Sequence, residues 1–283
     1  MEFQLSIIIC VKDSSNDLEF HLNEAENYNS RQIIFVCGTD KEYDYAKRFV
    51  KNNKKSYVVK RDNSIGIGDA RKVGMESAES EYTMYLGPDN RITKDKIQEI
   101  ITDLKNSRFS ALAFSQEIKD PKNYLQKLQN FRFKNKFPPY LSRDVIGTPH
   151  IILTREAKKI GYVDEAGPCD DTLFFNEFTK KIGEVAFSKV SVYEEPQNII
   201  ARMKWYSQSD YEYLQYQENK KIKNYFHSFA TEFLYVFNEK NFLTLLFFLP
   251  GAAFLGLVRY ISFFRKLLSG AQVVKLVDTK SKK

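Results

Sequence analysis

The chain has 283 residues, of which 43% are hydrophobic and 14% aromatic, with a net charge of +7 and a pI of about 9.0. That is enough apolar material for one large domain with a full core, plus an appendage. Lys and Arg are dispersed among Asp and Glu rather than concentrated, which argues against a nucleic-acid groove and leaves phosphate substrates or an anionic membrane surface as partners.

Leu5–Val11 is a continuous apolar run of strand length, as expected of a strand covered on both faces. Asp17–Tyr28 reads as a helix, Gln32–Cys37 as a second buried strand ended by Gly38, Tyr43–Asn52 as a helix and Ser56–Val59 as a third strand. This alternation predicts βαβ units with right-handed crossovers. In such sheets ligands sit beyond the carboxyl ends of the strands, here Val11-Lys12-Asp13, Cys37-Gly38-Thr39-Asp40 and Gly87-Pro88-Asp89, three loops expected around one cleft. Cys10, Cys37 and Cys169 lie far apart with no C-x-x-C pair, pointing to a reducing compartment and no structural zinc. No charged leader with an apolar h-region opens the chain, so no secretory signal peptide is expected.

Gly66–Asn90 is the most informative stretch. A glycine-containing turn leads into a helix from about Asp69 to Ala78, then a strand Tyr82–Leu86 ending on Gly87-Pro88-Asp89-Asn90. Asp69 can cap the helix, leaving Arg71 and Lys72 in its first turn, where helix N-terminus and cations together suit phosphate groups. A carboxylate at a strand end can hold a divalent metal against a diphosphate. An ordinary helix–strand unit closed by a Pro-Asp-Asn turn fits the same residues.

Farther on, Asp95–Ser107 reads as a helix and Ala111–Ser115 as a strand. Residues 120–145 are basic, aromatic and interrupted by Pro, fitting either an acceptor-side loop or a solvated amphipathic helix and loop. His150 precedes Ile151-Ile152 and reads as a structural histidine on a strand. Gly161–Glu165 is followed by Asp170-Asp171 ahead of a helix over 172–181. Adjacent carboxylates disfavour each other's ionised form, and one with suitable reach can take a proton from a hydroxyl. Either Asp could also cap that helix, and both uses can hold together. Glu184–Val192 gives a last strand.

Residues 208–240 are helical in pattern. Phe242–Val258 then runs without a charge until Arg259, near the lower limit for a membrane span, with Pro250-Gly251 placed to break or kink a helix. The segment reads as a span, a re-entrant hairpin or a buried core helix, and Arg259, Arg265 and Lys266 favour the cytoplasmic side. The last residues, 271–283, read as a disordered basic tail.

Gly66, Ala70, Arg71, Gly74, Ala78, Glu81 and Tyr82, followed by a strand and the acidic turn at Asp89, resemble the core of the family 2 glycosyltransferases with the GT-A fold. Ser6–Asp13 resembles their opening strand, Ile33–Gly38 their second, and Gly161–Glu165 with Asp170-Asp171 their base segment. The turn departs from the family's Asp-x-Asp in having Gly87 first, and Cys37 stands where an Asp commonly reads the base. Ala201–Trp205 keeps Trp and a cation but lacks the Gln of the Gln-x-x-Arg-Trp found in processive synthases, against a cellulose- or chitin-type enzyme.

The resemblance implies an α/β GT-A mixed sheet flanked by helices over 1–205, a helical connector over 206–240, a membrane-associated hydrophobic segment over 241–268 and a tail over 269–283. It implies donor binding by Val11, Asp13, Cys37, Gly66, Arg71 and Pro88, and a divalent metal (Mn²⁺ or Mg²⁺) at Asp89 and Asn90. Asp171 would be the general base with Asp170 beside it, in an inverting sugar transfer from a nucleotide-sugar to a lipid-linked or membrane-proximal glycan hydroxyl. The missing Asp residues leave a second expectation, a catalytically degenerate membrane-bound partner subunit. A soluble nucleotide-binding α/β protein of another class explains the first half of the chain but not the acidic pair.

Overall fold

The computed structural model describes residues 3–12, 15–51, 56–61, 66–163, 166–195, 198–216, 232 and 234–269. Asp13, Asp164, Glu165 and the tail at 271–283, all singled out above, lie outside the described residues. The chain divides into two compact units, one of Met1–Phe114, Pro139–Ala166 and Asp170–Val192, the other of Ser115–Pro138, Gly167–Cys169 and Tyr193–Lys283.

The first unit is built on a sheet whose strands are β1 (Phe3–Val11), β2 (Ser30–Cys37), β3 (Ser56–Arg61), β4 (Tyr82–Leu86), β5 (Asn90–Arg91), β6 (Ala111–Glu117), β7 (His150–Leu153) and β8 (Val185–Glu194), in the order β3-β2-β1-β4-β7-β6-β8-β5. The apolar runs become the central strands. Ile7, Ile8 and Ile9 of β1 are fully buried, and all five residues of β4 are buried, because helices cover both faces. β1 pairs in parallel with β2 and with β4, aligning Ile8 with both Ile34 and Tyr85. β7 runs antiparallel to both β4 and β6, so the sheet is mixed.

Four helices follow these strands, α1 (Ser15–Glu24), α2 (Asp40–Val50), α3 (Ile67–Ser77) and α4 (Lys94–Asn106). Thr39 caps α2, its Oγ1 accepting from Glu42 N at 3.3 Å and donating to Glu42 Oε2 at 2.9 Å. The interior of α3 carries Gly74 because a side chain there would meet Ile8 Cγ2 of β1 at 2.5 Å. This helix starts earlier than the sequence suggested. Its N-cap is Gly66, with no side-chain cap, and Asp69 sits within the first turn instead of ahead of it.

In the second unit, residues 120–145 do not supply a solvated helix. Within that range α5 (Tyr124–Lys136) buries Leu128, Gln129, Phe131, Arg132 and Phe133. The unit also holds α8 (Ile199–Gln215) and α9 (Phe242–Leu268), while α6 (Thr154–Ile160) and α7 (Asp170–Lys181) belong to the first. α9 continues through Pro250 without the expected break. Pro250 removes one helical donor, and close by the Tyr124 hydroxyl donates to Phe247 O at 3.0 Å. Gly251 lets α5 approach, since a Cβ there would lie 2.5 Å from the Tyr124 hydroxyl.

Candidate active site

The first turn of α7 carries the acidic pair, and α3 brings Arg71 against it. Arg71 Nη1 donates to Asp170 Oδ2 at 2.6 Å and also to Asp171 Oδ1, while Nη2 donates to Thr148 Oγ1 at 2.8 Å. The Tyr85 hydroxyl on β4 donates to the Arg71 carbonyl at 2.7 Å. One guanidinium is thus shared by two carboxylates and fixed from a third side.

The two acids differ in exposure. Asp170 keeps 2% of its side chain accessible and Asp171 18%. Burial pushes the Asp170 carboxyl up; Arg71 opposes the shift and the adjacent Asp171 adds to it. Arg71 is also buried, but the two carboxylates hold it firmly protonated. Asp171 is therefore the more accessible member of the pair.

An aromatic layer supports the pair. Tyr162 stacks on Phe174 of α7 at 4.4 Å, His150 meets Phe175 at 5.1 Å, and Tyr85 touches both His150 and Tyr162. His150 Nδ1 faces Gly147 O at 3.2 Å, so that nitrogen carries the proton, and burial lowers the ring's pKa to about 4. The histidine read as structural is buried, neutral and packed.

The strand-end loops are tightly closed. Gly38 N donates to Val11 O at 2.7 Å, and the side chains of Val11 and Cys37 are buried, so these two donor-binding expectations offer a ligand main chain only. At the start of α3, Gly68 N donates to Ala166 O at 3.0 Å, and a Cβ on Gly66 would lie 2.6 Å from the same carbonyl. That first-turn N–H is spent on the chain itself, not on a phosphate.

The Asp89 turn is held from behind. Asn90 Oδ1 accepts from Gly87 N at 2.8 Å, and Asn90 N donates to Gly87 O at 3.0 Å. Two donors reach Pro88 O, Arg91 Nη1 at 2.7 Å and His21 Nε2 at 3.0 Å. Because the Pro88 carbonyl can only accept, His21 Nε2 carries the proton, and Nδ1 accepts from the Tyr28 hydroxyl at 2.6 Å. Burial, helped by Arg91, lowers the His21 pKa to about 4, so the ring stays neutral in ordinary buffers. Sequence reasoning passed over His21, Tyr85 and Thr148. Tyr85 at least lies in the strand that leads to the turn, whereas nothing in the sequence marks Thr148.

The profile of Glycosyl transferase family 2 matches residues 6–160, more than half of the chain. The chain belongs to this family. It is accordingly a glycosyltransferase, and its solved neighbours have the GT-A fold. TarS of S. aureus (residues 1–349) aligns at a TM-score of 0.55 and 13% identity, over 95% of this chain and 92% of that one. Glucosyl-3-phosphoglycerate synthase of Mycobacterium tuberculosis, solved with Mn²⁺, UDP and glucosyl-3-phosphoglycerate, aligns at 0.53 and 8% identity over 75% and 78%. GalNAc-T7 with UDP, GalNAc and Mn²⁺ aligns at 0.55 and 11% over 82% and 51%. No curated protein sequence matches the chain.

For a family 2 enzyme the residues at hand limit how a metal can be held. Among the described residues no three of His, Cys, Asp and Glu are grouped to bind one. The turn offers one carboxylate, Asp89, while the Asn90 oxygen is engaged by Gly87 and its Nδ2 is buried without a partner. This donor set suits Mg²⁺ or Mn²⁺ arriving with diphosphate oxygens and waters, not a cage built by protein alone.

Proposed function

We propose that the chain transfers a sugar from a nucleotide-diphosphate donor to a hydroxyl of a lipid-linked or membrane-proximal glycan, with inversion at the anomeric carbon. The observation that carries this reading is Asp171, half of a buried acid pair yet open to solvent, oriented through one oxygen by Arg71. Its other oxygen, Oδ2, is free of that bond and lies toward Gly147.

In the mechanism Asp171 takes the proton of the acceptor hydroxyl as that oxygen attacks the anomeric carbon, and the bond to the nucleoside diphosphate breaks on the opposite face. Arg71 acts through Asp171: with Thr148 it keeps the carboxylate from rotating away, an advantage of preorganisation. Asp170, with its raised affinity for protons, relieves the charge crowding of the pair. Asp89 would hold the Mn²⁺ or Mg²⁺, which supplies neutralisation of the diphosphate charge when bound. The backbone of the turn that carries Asp89 is held by His21, Asn90 and Arg91, which supports a role for it as a preformed metal-binding turn.

The UDP bound in similar solved structures supports a nucleotide donor. The apolar α9, the one described helix long and apolar enough to cross a membrane, supports membrane association, and its basic end favours a catalytic unit on the cytoplasmic side.

A panel of UDP-, GDP-, dTDP- and CMP-sugars offered with Mn²⁺ or Mg²⁺ tests this directly. Slow metal-dependent release of one nucleotide, lost in Asp89→Ala, is the expected outcome. Silence across the panel, with no thermal shift from any nucleotide, contradicts it.

A further inference from the structure

One side of α9 buries Gly251, Ala252, Leu255, Gly256, Arg259 and Phe263 inside the second unit. The other side is exposed and wholly apolar from Phe242 to Ile261. Leu243 is 76% accessible and Phe247 55%, and the stripe continues through Phe254, Leu257 and Ile261 at helical spacing. From Leu243 to Ile261 it measures about 27 Å at the helical rise. Exposed Lys240 precedes the stripe and exposed Arg265 follows it.

The buried side excludes a transverse placement. Arg259 Nε and Nη2 donate to Asp210 of α8 at 2.8 and 2.7 Å, and Nη1 to Glu232 at 2.6 Å. Met203 and Ile199 of α8 pack on Leu255, and Tyr211 and Leu214 pack on Phe263. Beside the middle of α9 lies α5, whose Tyr124 hydroxyl donates to Phe247 O at 3.0 Å and whose Phe131 stacks on Phe248 at 4.3 Å. A helix crossing the bilayer with these contacts intact would carry the exposed Lys127 of α5 into hydrocarbon, where a charge costs several kcal/mol.

We infer that α9 docks in the plane of an anionic lipid surface, its Leu243–Ile261 stripe sunk to the headgroup–acyl boundary, with Lys240 and Arg265 at the headgroups. An amphipathic helix with one apolar face and basic residues at its ends is built for this depth, and a net charge of +7 adds attraction to anionic lipid. This rests on the membrane-associated part of the proposed function and replaces a span with an interfacial helix.

Flotation of the full chain with phosphatidylglycerol–phosphatidylcholine vesicles tests it, together with depth measured by brominated lipids. In a Trp205→Phe background, Phe247→Trp, Phe254→Trp and Ile261→Trp place one indole along the stripe. The expected result is co-flotation, weakened at high salt and lowered at least tenfold by Phe247→Glu with Leu257→Glu. The three indoles should be quenched most by the same shallow bromines.

Co-flotation with Phe254→Trp quenched by deep bromines and the other two by shallow ones means a span, which overturns the inference and leaves membrane association standing. No flotation overturns both. Dimers in sedimentation that the double Glu variant dissociates, with no flotation, would show that a second copy covers the stripe. Donor hydrolysis by the same variants is expected to stay at the wild-type level, which separates these outcomes from failure of the transfer reading.

Discussion

Each unit of the molecule contains a buried cluster of charges, and the two are built to opposite ends. In the first, one guanidinium serves two carboxylates, and one of those reaches solvent. In the second, Glu232 is fully buried and accepts from Arg132, Lys136 and Arg259, with Asp210 completing the Arg259 pair. Burial works against the Glu232 charge, but the three cations outweigh it and hold the carboxyl well below its usual range. The Tyr206 ring lies between the same cations, 4.8 Å from Arg132 and 5.4 Å from Arg259. A carboxylate surrounded by cations and closed off is fixed in its charge and ties α5, α8 and α9 together. A carboxylate in excess over its cation, and open on one side, is one that can exchange a proton. Charge balance and access, more than burial, separate the structural cluster from the one proposed to be catalytic.

The comparison breaks most sharply at Glu232. Glu232→Ala leaves buried cations without their anion, and the expected cost is about 3–5 kcal/mol of stability, read from the urea midpoint. Donor hydrolysis per folded molecule should change little. The converse variant is Arg71→Lys, which cannot span two carboxylates and Thr148 with a planar fork. Donor hydrolysis should fall about 10- to 100-fold, the usual range for a lost orienting contact, with nucleotide affinity near wild type. If Arg71 met the diphosphate itself, affinity would drop as far as rate.

A smaller effect is the pH dependence of folding. His21 and His150 are both lowered to about 4 in the folded protein. Between about pH 6.5 and 4 the unfolded chain therefore binds protons that the folded chain does not, so stability falls as pH falls. Asp170, pushed up, acts in the opposite sense, since its folded form holds a proton that the unfolded carboxyl has released. Urea midpoints across this window should fall more gently with acid in His150→Phe, by at most about one proton in slope, and more steeply in Asp170→Asn. Parallel curves for all three proteins would remove the assignment.

Much of this was legible in the residues, and what was not has a common cause. The central strands announced themselves because a strand covered on both faces must be largely apolar, as Leu5–Val11 and Tyr82–Leu86 are; their polar members, Ser6 and Thr83, are buried against Gln32 and Thr154. The acidic pair and Arg71 stood out through their resemblance to the family 2 glycosyltransferases; residue type and spacing alone fit a helix cap and an ordinary helix–strand unit as well. The partners that orient them did not. Thr148 is 77 residues from Arg71, and His21 is 67 from the Pro88 carbonyl it holds, so only the folded chain brings them together. The start of α3 was misplaced because Gly66 caps it without a side chain, while Asp69 looks like a better cap. The polar face of α5 read as solvated because the anion that buries Arg132 lies 100 residues later. Pro250 read as a break from its residue type, whereas the helix runs on through it with α5 packed alongside at Tyr124.

The central claim is that Asp171 is the proton acceptor, and donor hydrolysis by Asp171→Asn beside wild type tests it most directly, with nucleotide affinity measured on both by calorimetry. Removal of a general base should cost about 10²- to 10⁴-fold in rate and leave the nucleotide Kd within about twofold. Hydrolysis at the wild-type rate, or a Kd weakened in step with the rate, would contradict the account.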